Sequence, residues 1–254
     1  MPIIEVNNRG VHIQELNKGA AETVLLVHGM FSNLSIYYFN IAPILAKHFH
    51  VVMYDLKSHG LSERIENGYD LNSMTDDLVD LLDSLGIDKV HLGGYSFGGL
   101  IALKMAARFP RKIKKLAVIE APDPNDDKTR DIIDDYSREF LEHYVMNFTN
   151  TTKVKMGKRQ MERNHRMYEY LFHETSIKSD MILEKEFFSD AEISDIQQDT
   201  LLLYGANSNC LGAGKKLKNK IRAAELLEVN GDHNIPIQEP VSIGNIMETF
   251  FNNG

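Results

Sequence analysis

The sequence predicts a doubly wound α/β fold, with a mostly parallel central sheet and one helical insertion. Three patterns predict it. Short runs rich in Val, Leu and Ile recur along the chain, as expected of strands buried on both faces of a parallel sheet. Helical patterns separate these runs, and strand–helix alternation marks this layered architecture. The alternation then lapses between Glu120 and Thr200, where only helical patterns follow one another.

In chain order the strand candidates are TVLLV (23–27), VVMY (51–54), VHLGGY (90–95), LAVIE (116–120), LLLY (201–204) and LLEV (226–229). The segment 73–86 places Met74, Leu78, Leu81, Leu82 and Leu85 on one stripe, with aspartates on or beside the other face; this is an amphipathic surface helix. The segment 96–110 is apolar nearly all round and predicts a buried helix. A last helix over 239–251 has Pro240 in its first turn, where a missing N–H costs nothing. The interruption divides the chain into a first core part (1–122), a helical cap (123–190) and a second core part (191–254). Aromatic residues in the cap (Tyr136, Phe140, Tyr144, Phe148, Tyr168, Tyr170, Phe172) are read first as packing between cap and core, and otherwise as the lining of a pocket below the cap.

Bulk composition bounds the function. The chain has 254 residues, 43% hydrophobic and 25% charged, an ordinary globular balance. Its net charge of −8 argues against nucleic acid as a general partner. A lone cysteine, Cys210, excludes an internal disulfide and suggests a reducing, cytoplasmic setting. The first residues lack a basic stretch followed by an apolar core, so no signal peptide is expected. No apolar run reaches membrane-spanning length, and no membrane association is expected. There is no H-E-x-x-H, no cysteine pair and no phosphate-binding glycine loop, so neither a metal nor a nucleotide cofactor is expected.

The chemistry concentrates in three places. Gly94, Ser96 and Gly98 form G-x-S-x-G between a strand and a helix, where the turn lifts the serine side chain clear of the sheet. Phe97 then opens the helix, leaving its N–H free to face an oxyanion. The first long strand ends in His28-Gly29, and the N–H of Met30 is the second oxyanion candidate. His28 itself reads as a support for that loop. His233 lies in the loop after the last strand, where it can cross the sheet edge to serve Ser96 as a base.

These residues, with the turn DLKSHGLS (55–62) and the run GDHNIPIQEP (231–240), resemble the α/β-hydrolase superfamily over essentially the whole chain. Within it, the motif order and the cap resemble small capped serine esterases and thioesterases. The resemblance implies the α/β-hydrolase fold, Ser96 as nucleophile, His233 as base, and Met30 and Phe97 as the oxyanion hole. A serine in the nucleophile position disfavours the superfamily's carboxylate-based dehalogenases and epoxide hydrolases.

The third triad member is missing from its usual place. Family members carry an acid three residues after the glycine that closes the strand before the last. Here that glycine is Gly205 and the position is Ser208; 205–224 contain no Asp or Glu. Three readings stay open. Glu120, ending the preceding strand, is the first, in the manner of superfamily members that take the acid from that strand. Asp123 is the second. The third is a Ser–His pair oriented by Ser208 or Asn207. Asp232 adjoins His233, and adjacent side chains usually diverge.

The expected activity is hydrolysis of a small-molecule ester or thioester through an acyl-serine. The run 153–166 carries six Lys or Arg against one Glu. It reads either as a solvated helix face or as a docking patch for coenzyme A or an acidic acyl carrier protein. The alternatives are a lyase of the same fold using Ser96 and His233 to move a proton, and a hydrolase-fold binding protein.

Overall fold

The computed structural model describes residues 2–123, 158–183 and 190–253. Eight strands form one sheet: β1 (Ile3–Val6), β2 (Arg9–Leu16), β3 (Thr23–Val27), β4 (His50–Tyr54), β5 (Val90–Tyr95), β6 (Ile113–Ile119), β7 (Thr200–Gly205) and β8 (Ala224–Val229). Their order across the sheet is β1-β2-β4-β3-β5-β6-β7-β8. The pairs β1–β2 and β2–β4 are antiparallel, and all the others are parallel. This is the doubly wound, mostly parallel sheet the apolar runs predict. All six predicted strands are present, with ends moved by up to three residues.

The apolar runs work because both faces are covered. Along the parallel strands alternate residues enter opposite cores. Leu25, Val27, Val52, Leu92, Val118 and Leu202 join one. Val24, Leu26, Val51, Ala117, Leu201 and Leu203 join the other. The first core is closed by the helices Leu71–Ser84 and Phe97–Arg108. The second is closed by Ile41–Leu45 and Pro240–Asn252. The helix Leu71–Ser84 starts two residues before its predicted position because Asp70 caps it, accepting from Ser73 N at 2.9 Å.

Two strands were not expected. β1 and β2 mix polar and apolar residues, and they lie at the sheet margin, where burial is weaker. Asn7 and Asn8, both at positive φ, turn one into the other, as a two-residue hairpin requires.

Between Glu120 and Thr200 the described residues hold the helices Lys158–His173, Ile177–Leu183 and Asp190–Ser194, and no strand. Tyr168 and Phe172 are buried and stack at 5.1 Å. Tyr136, Phe140, Tyr144 and Phe148 lie outside the described residues, as does most of the first half of the segment read as a cap.

The register aligns the carboxyl ends of the strands. Val27 is level with Tyr54 and Gly94, and Tyr95 with Ile119. Ile119 is level with Leu203, and Gly205 with Val229. Strand order reverses around β3, which places a crevice at the carboxyl ends of β3 and β5. Open α/β sheets bind ligands at such switch points.

Candidate active site

Ser96 sits between β5 and the helix Phe97–Arg108 with φ of +53° and ψ of −119°. For a residue with a side chain this is strained, costing about 1–3 kcal/mol, and such strain collects at functional sites. Close packing around the turn imposes it. A Cβ on Gly94 would lie 2.2 Å from the Gly98 carbonyl oxygen, and one on Gly98 would lie 2.3 Å from that of Val27. Only glycines let the helix start this close to β3 and β5.

Phe97 is the first residue of that helix, so its N–H has no intrahelical acceptor. The loop carrying Met30 runs beside it: a Cβ on Gly29 would lie 3.0 Å from Ser96 Cβ. Among the described residues, neither the Met30 nor the Phe97 amide donates to a backbone carbonyl. His28 anchors this loop. Its Nδ1 donates to the Gly29 carbonyl at 2.7 Å, and its Nε2 accepts from Leu56 N at 3.0 Å. Both ring nitrogens are committed, and burial holds its pKa below the ordinary value; it is a structural clasp, not a base. Phe31, also at positive φ, stacks on Phe172 at 5.7 Å, so the helix Lys158–His173 packs onto the same loop.

His233 joins the serine to an acid. Ser96 Oγ donates to His233 Nε2 at 3.1 Å, and His233 Nδ1 donates to Glu120 Oε2 at 3.1 Å. Glu120 is fully buried at the end of β6, with φ of +55°. Two further donors hold its carboxylate, Gly205 N on Oε1 and Ser208 Oγ on Oε2, each at 2.5 Å. Tyr95 Oη donates to the His233 carbonyl at 3.0 Å and steadies the loop.

The other acid candidates make different contacts. Asp123 pairs with Lys216 at 2.7 Å. Ser208 turns its hydroxyl to Glu120 instead of His233. Asn207 gives its backbone N–H to the Gly231 carbonyl at 2.9 Å, which ties the end of β7 to the histidine loop. Asp232 accepts from Asn234 N at 2.8 Å.

One neighbour was not foreseen. Cys210 Sγ lies 3.5 Å from His233 Nδ1. No sequence signal marks it, because the contact depends on how the loops after β7 and β8 fold together. Burial disfavours the His233 imidazolium, but Cys210 and Glu120 outweigh burial and hold its pKa above the ordinary value. Glu120 is the stronger physical cause, since a carboxylate at 3.1 Å accepts far better than a sulfur at 3.5 Å.

Comparison with known proteins agrees with this architecture. The acetyltransferase component of the acetoin cleaving system from Pseudomonas putida is 35% identical over 115 residues, 45% of this chain and 31% of that protein. The match thus spans about a third of that relative's length. The 2-hydroxy-6-oxo-2,4-heptadienoate hydrolase of Pseudomonas putida is 24% identical, aligning 88% of this chain with 84% of its own. The enol-lactonase from Burkholderia xenovorans superposes with a TM-score of 0.76 over 99% of this chain and 100% of that one. At 22% identity it speaks for the fold alone. Residues 22–171 match the family model of the alpha/beta hydrolase fold. With the doubly wound sheet and the strained serine turn in place, the chain belongs to the alpha/beta hydrolase family.

Proposed function

We propose that this protein is a serine hydrolase that cleaves a carboxylic ester or thioester through an acyl-serine intermediate. One observation carries the reading: the unbroken hydrogen-bonded line from Ser96 Oγ through His233 to Glu120, with both links at 3.1 Å. A relative named as a hydrolase supports hydrolysis as the general class of reaction.

In this mechanism Ser96 Oγ attacks the substrate carbonyl while His233 Nε2 takes its proton. Glu120 keeps the proton of the other ring nitrogen on Nδ1, which leaves Nε2 free to accept. It also stabilises the imidazolium that forms. The Met30 and Phe97 N–H groups face the oxyanion. His233 then protonates the leaving alcohol or thiol, and a water attacks the acyl-serine by the same route. Phe31, Phe172 and Tyr168 form an apolar wall beside the oxyanion loop, suited to an acyl or aryl group.

Acyl groups on coenzyme A or an acyl carrier protein are the substrates suggested by the basic run 153–166. Arg163 and Arg166 are exposed on the helix Lys158–His173; Lys153 and Lys155 lie outside the described residues. Reversing Lys158, Arg159 and Arg163 to Glu should raise KM for the carrier thioester and spare a p-nitrophenyl ester. An unchanged KM removes the docking idea. Among the described residues no helix is long and apolar enough to cross a membrane.

A screen of p-nitrophenyl esters and acyl-thioesters of graded chain length tests the whole reading. Turnover should vanish in Ser96→Ala, and a fluorophosphonate should label Ser96 in the native protein. Failure of both turnover and labelling refutes hydrolysis. Product analysis separates a lyase.

A further inference from the structure

The acid–base end of the site holds more than a triad needs. Cys210 Sγ, a Glu120 carboxylate oxygen and His233 Nδ1 lie within 4.8 Å of one another. The sulfur is 3.5 Å and the Glu120 oxygen 3.1 Å from the ring nitrogen. Zinc–ligand bonds are about 2.3 Å to sulfur, 2.0–2.1 Å to nitrogen and 2.0–2.2 Å to oxygen. In a tetrahedron those lengths set sulfur roughly 3.5 Å and oxygen about 3.3 Å from nitrogen. The sulfur and the Glu120 oxygen already stand close to that spacing from the ring nitrogen.

The donor chemistry points the same way. A thiolate, an imidazole and one carboxylate suit zinc and its neighbours, and they do not suit magnesium or calcium, which need several oxygens. The three come from the ends of β6, β7 and β8, so no local sequence motif announces them. Glu120 is fixed before any cation arrives, by Gly205 N and Ser208 Oγ; such outer partners orient a ligating carboxylate. Cys210 and His233 are partly exposed, which gives a path in.

We propose that Cys210, His233 and Glu120 form a binding site for a thiophilic divalent cation of the zinc class, and that the bound cation switches the hydrolase off. The inhibition rests on the triad reading above. In the active form His233 carries its proton on Nδ1, and Nε2 accepts from Ser96. A cation on Nδ1 needs that lone pair, so the neutral ring must carry its proton on Nε2. Nε2 then faces Ser96 as a donor, and the serine proton has no acceptor. The bonds formed are cation to Sγ, Nδ1 and the Glu120 oxygen. The cysteine S–H breaks, the imidazole moves its proton between nitrogens through solvent, and one proton leaves per cation bound.

Cobalt(II) is the probe, because a cobalt–thiolate bond gives a near-ultraviolet charge-transfer band. The full chain, stripped with a chelator, should take up one equivalent and develop the band. Cys210→Ser should show no band. Zinc should inhibit the wild type, and added chelator should restore it. Relative to its own zinc-free rate, Cys210→Ser should need at least about tenfold more zinc for half-inhibition, the scale on which even outer-shell changes weaken metal sites. Absence of the band in the wild type, or the same band in Cys210→Ser, overturns the site. A band without inhibition, or equal zinc sensitivity in both proteins, overturns the switch. Fluorophosphonate labelling of the zinc-free wild type tests the Ser96 reading separately, since it requires no metal.

Discussion

Replacing Glu120 by Gln removes a charge while keeping the shape. The carboxylate receives three donors: Gly205 N on one oxygen, and Ser208 Oγ and His233 Nδ1 on the other. Gly205 N can only donate, so the glutamine oxygen must stay there. Its amino group then faces Ser208 and His233. Ser208 can rotate its hydroxyl and accept. His233 can accept only by moving its proton from Nδ1 to Nε2, the tautomer that cannot serve Ser96. Loss of both tautomer and counter-charge should lower kcat by about 10³–10⁴, which is roughly 4–5.5 kcal/mol of barrier. Ser208→Ala should cost much less. It removes one of three donors at a partly exposed position where water can substitute, worth about 0.5–1.5 kcal/mol, or roughly two- to thirteenfold. The assay is p-nitrophenyl ester hydrolysis, with near-ultraviolet circular dichroism to show that each variant is folded. Similar modest losses in both variants would refute Glu120 as the orienting acid.

Other outcomes follow from the same geometry. Gly205→Ala puts a Cβ 2.6 Å from the carbonyl oxygens of Gly231 and Asp232, so it should push the histidine loop off Ser96; a drop in kcat with little change in KM checks this, and wild-type kcat would contradict it. His59 is buried, and burial, joined by the nearby His28, pushes its pKa down to about 3. Its Nδ1 donates to the Lys57 carbonyl at 2.9 Å. Because its folded pKa lies below the unfolded value of roughly 6.5, the unfolded chain takes the proton first. Stability is then complete above about pH 6.5 and is lost as pH falls toward 3, by about 1.4 kcal/mol per unit from this residue. Urea midpoints between pH 6.5 and 5, above the range of ordinary carboxylates, should fall with pH in the wild type and fall less steeply in His59→Gln. Equal slopes would show that His59 is not the group responsible.

How much of this could be read from residues alone depends on how local each cause is. The parallel strands are legible because burial on both faces leaves unbroken Val, Leu and Ile runs such as 23–27 and 200–205. The hairpin β1–β2 is not, since its apolar content is diluted; only Asn7-Asn8 marks its turn. The serine turn is legible because glycines at 94 and 98 are demanded by contacts within one short segment. Glu120 could be ranked first but not separated from Asp123 by any local signal, because the two stand three residues apart and differ only in where β6 releases the chain. Lys216, distant in sequence, claims Asp123 and leaves Glu120 to His233. Cys210 was beyond reach for the same reason: its neighbour is made by two loops.

The position of the acid follows from the sheet register more than from any single contact. Tyr95 and Ile119 are level on neighbouring strands, so Ser96 and Glu120 are the next residues on each. Each continues the ladder one step beyond its strand, Ser96 N donating to the Ile119 carbonyl and Glu120 N to that of Leu203. Each then turns to positive φ, +53° and +55°. Two adjacent strands therefore end in the same strained way, at a spacing of about 4.8 Å. One histidine, delivered from beyond β8, has nitrogens that reach both. An acid at position 208 would start one strand further from the serine. Glu120 instead starts beside the serine strand, and its longer side chain turns toward β7, where Gly205 N and Ser208 Oγ receive it. Serine at 208 is then more than an acid lost: a carboxylate there would face Glu120 with like charge, whereas a hydroxyl donates to it.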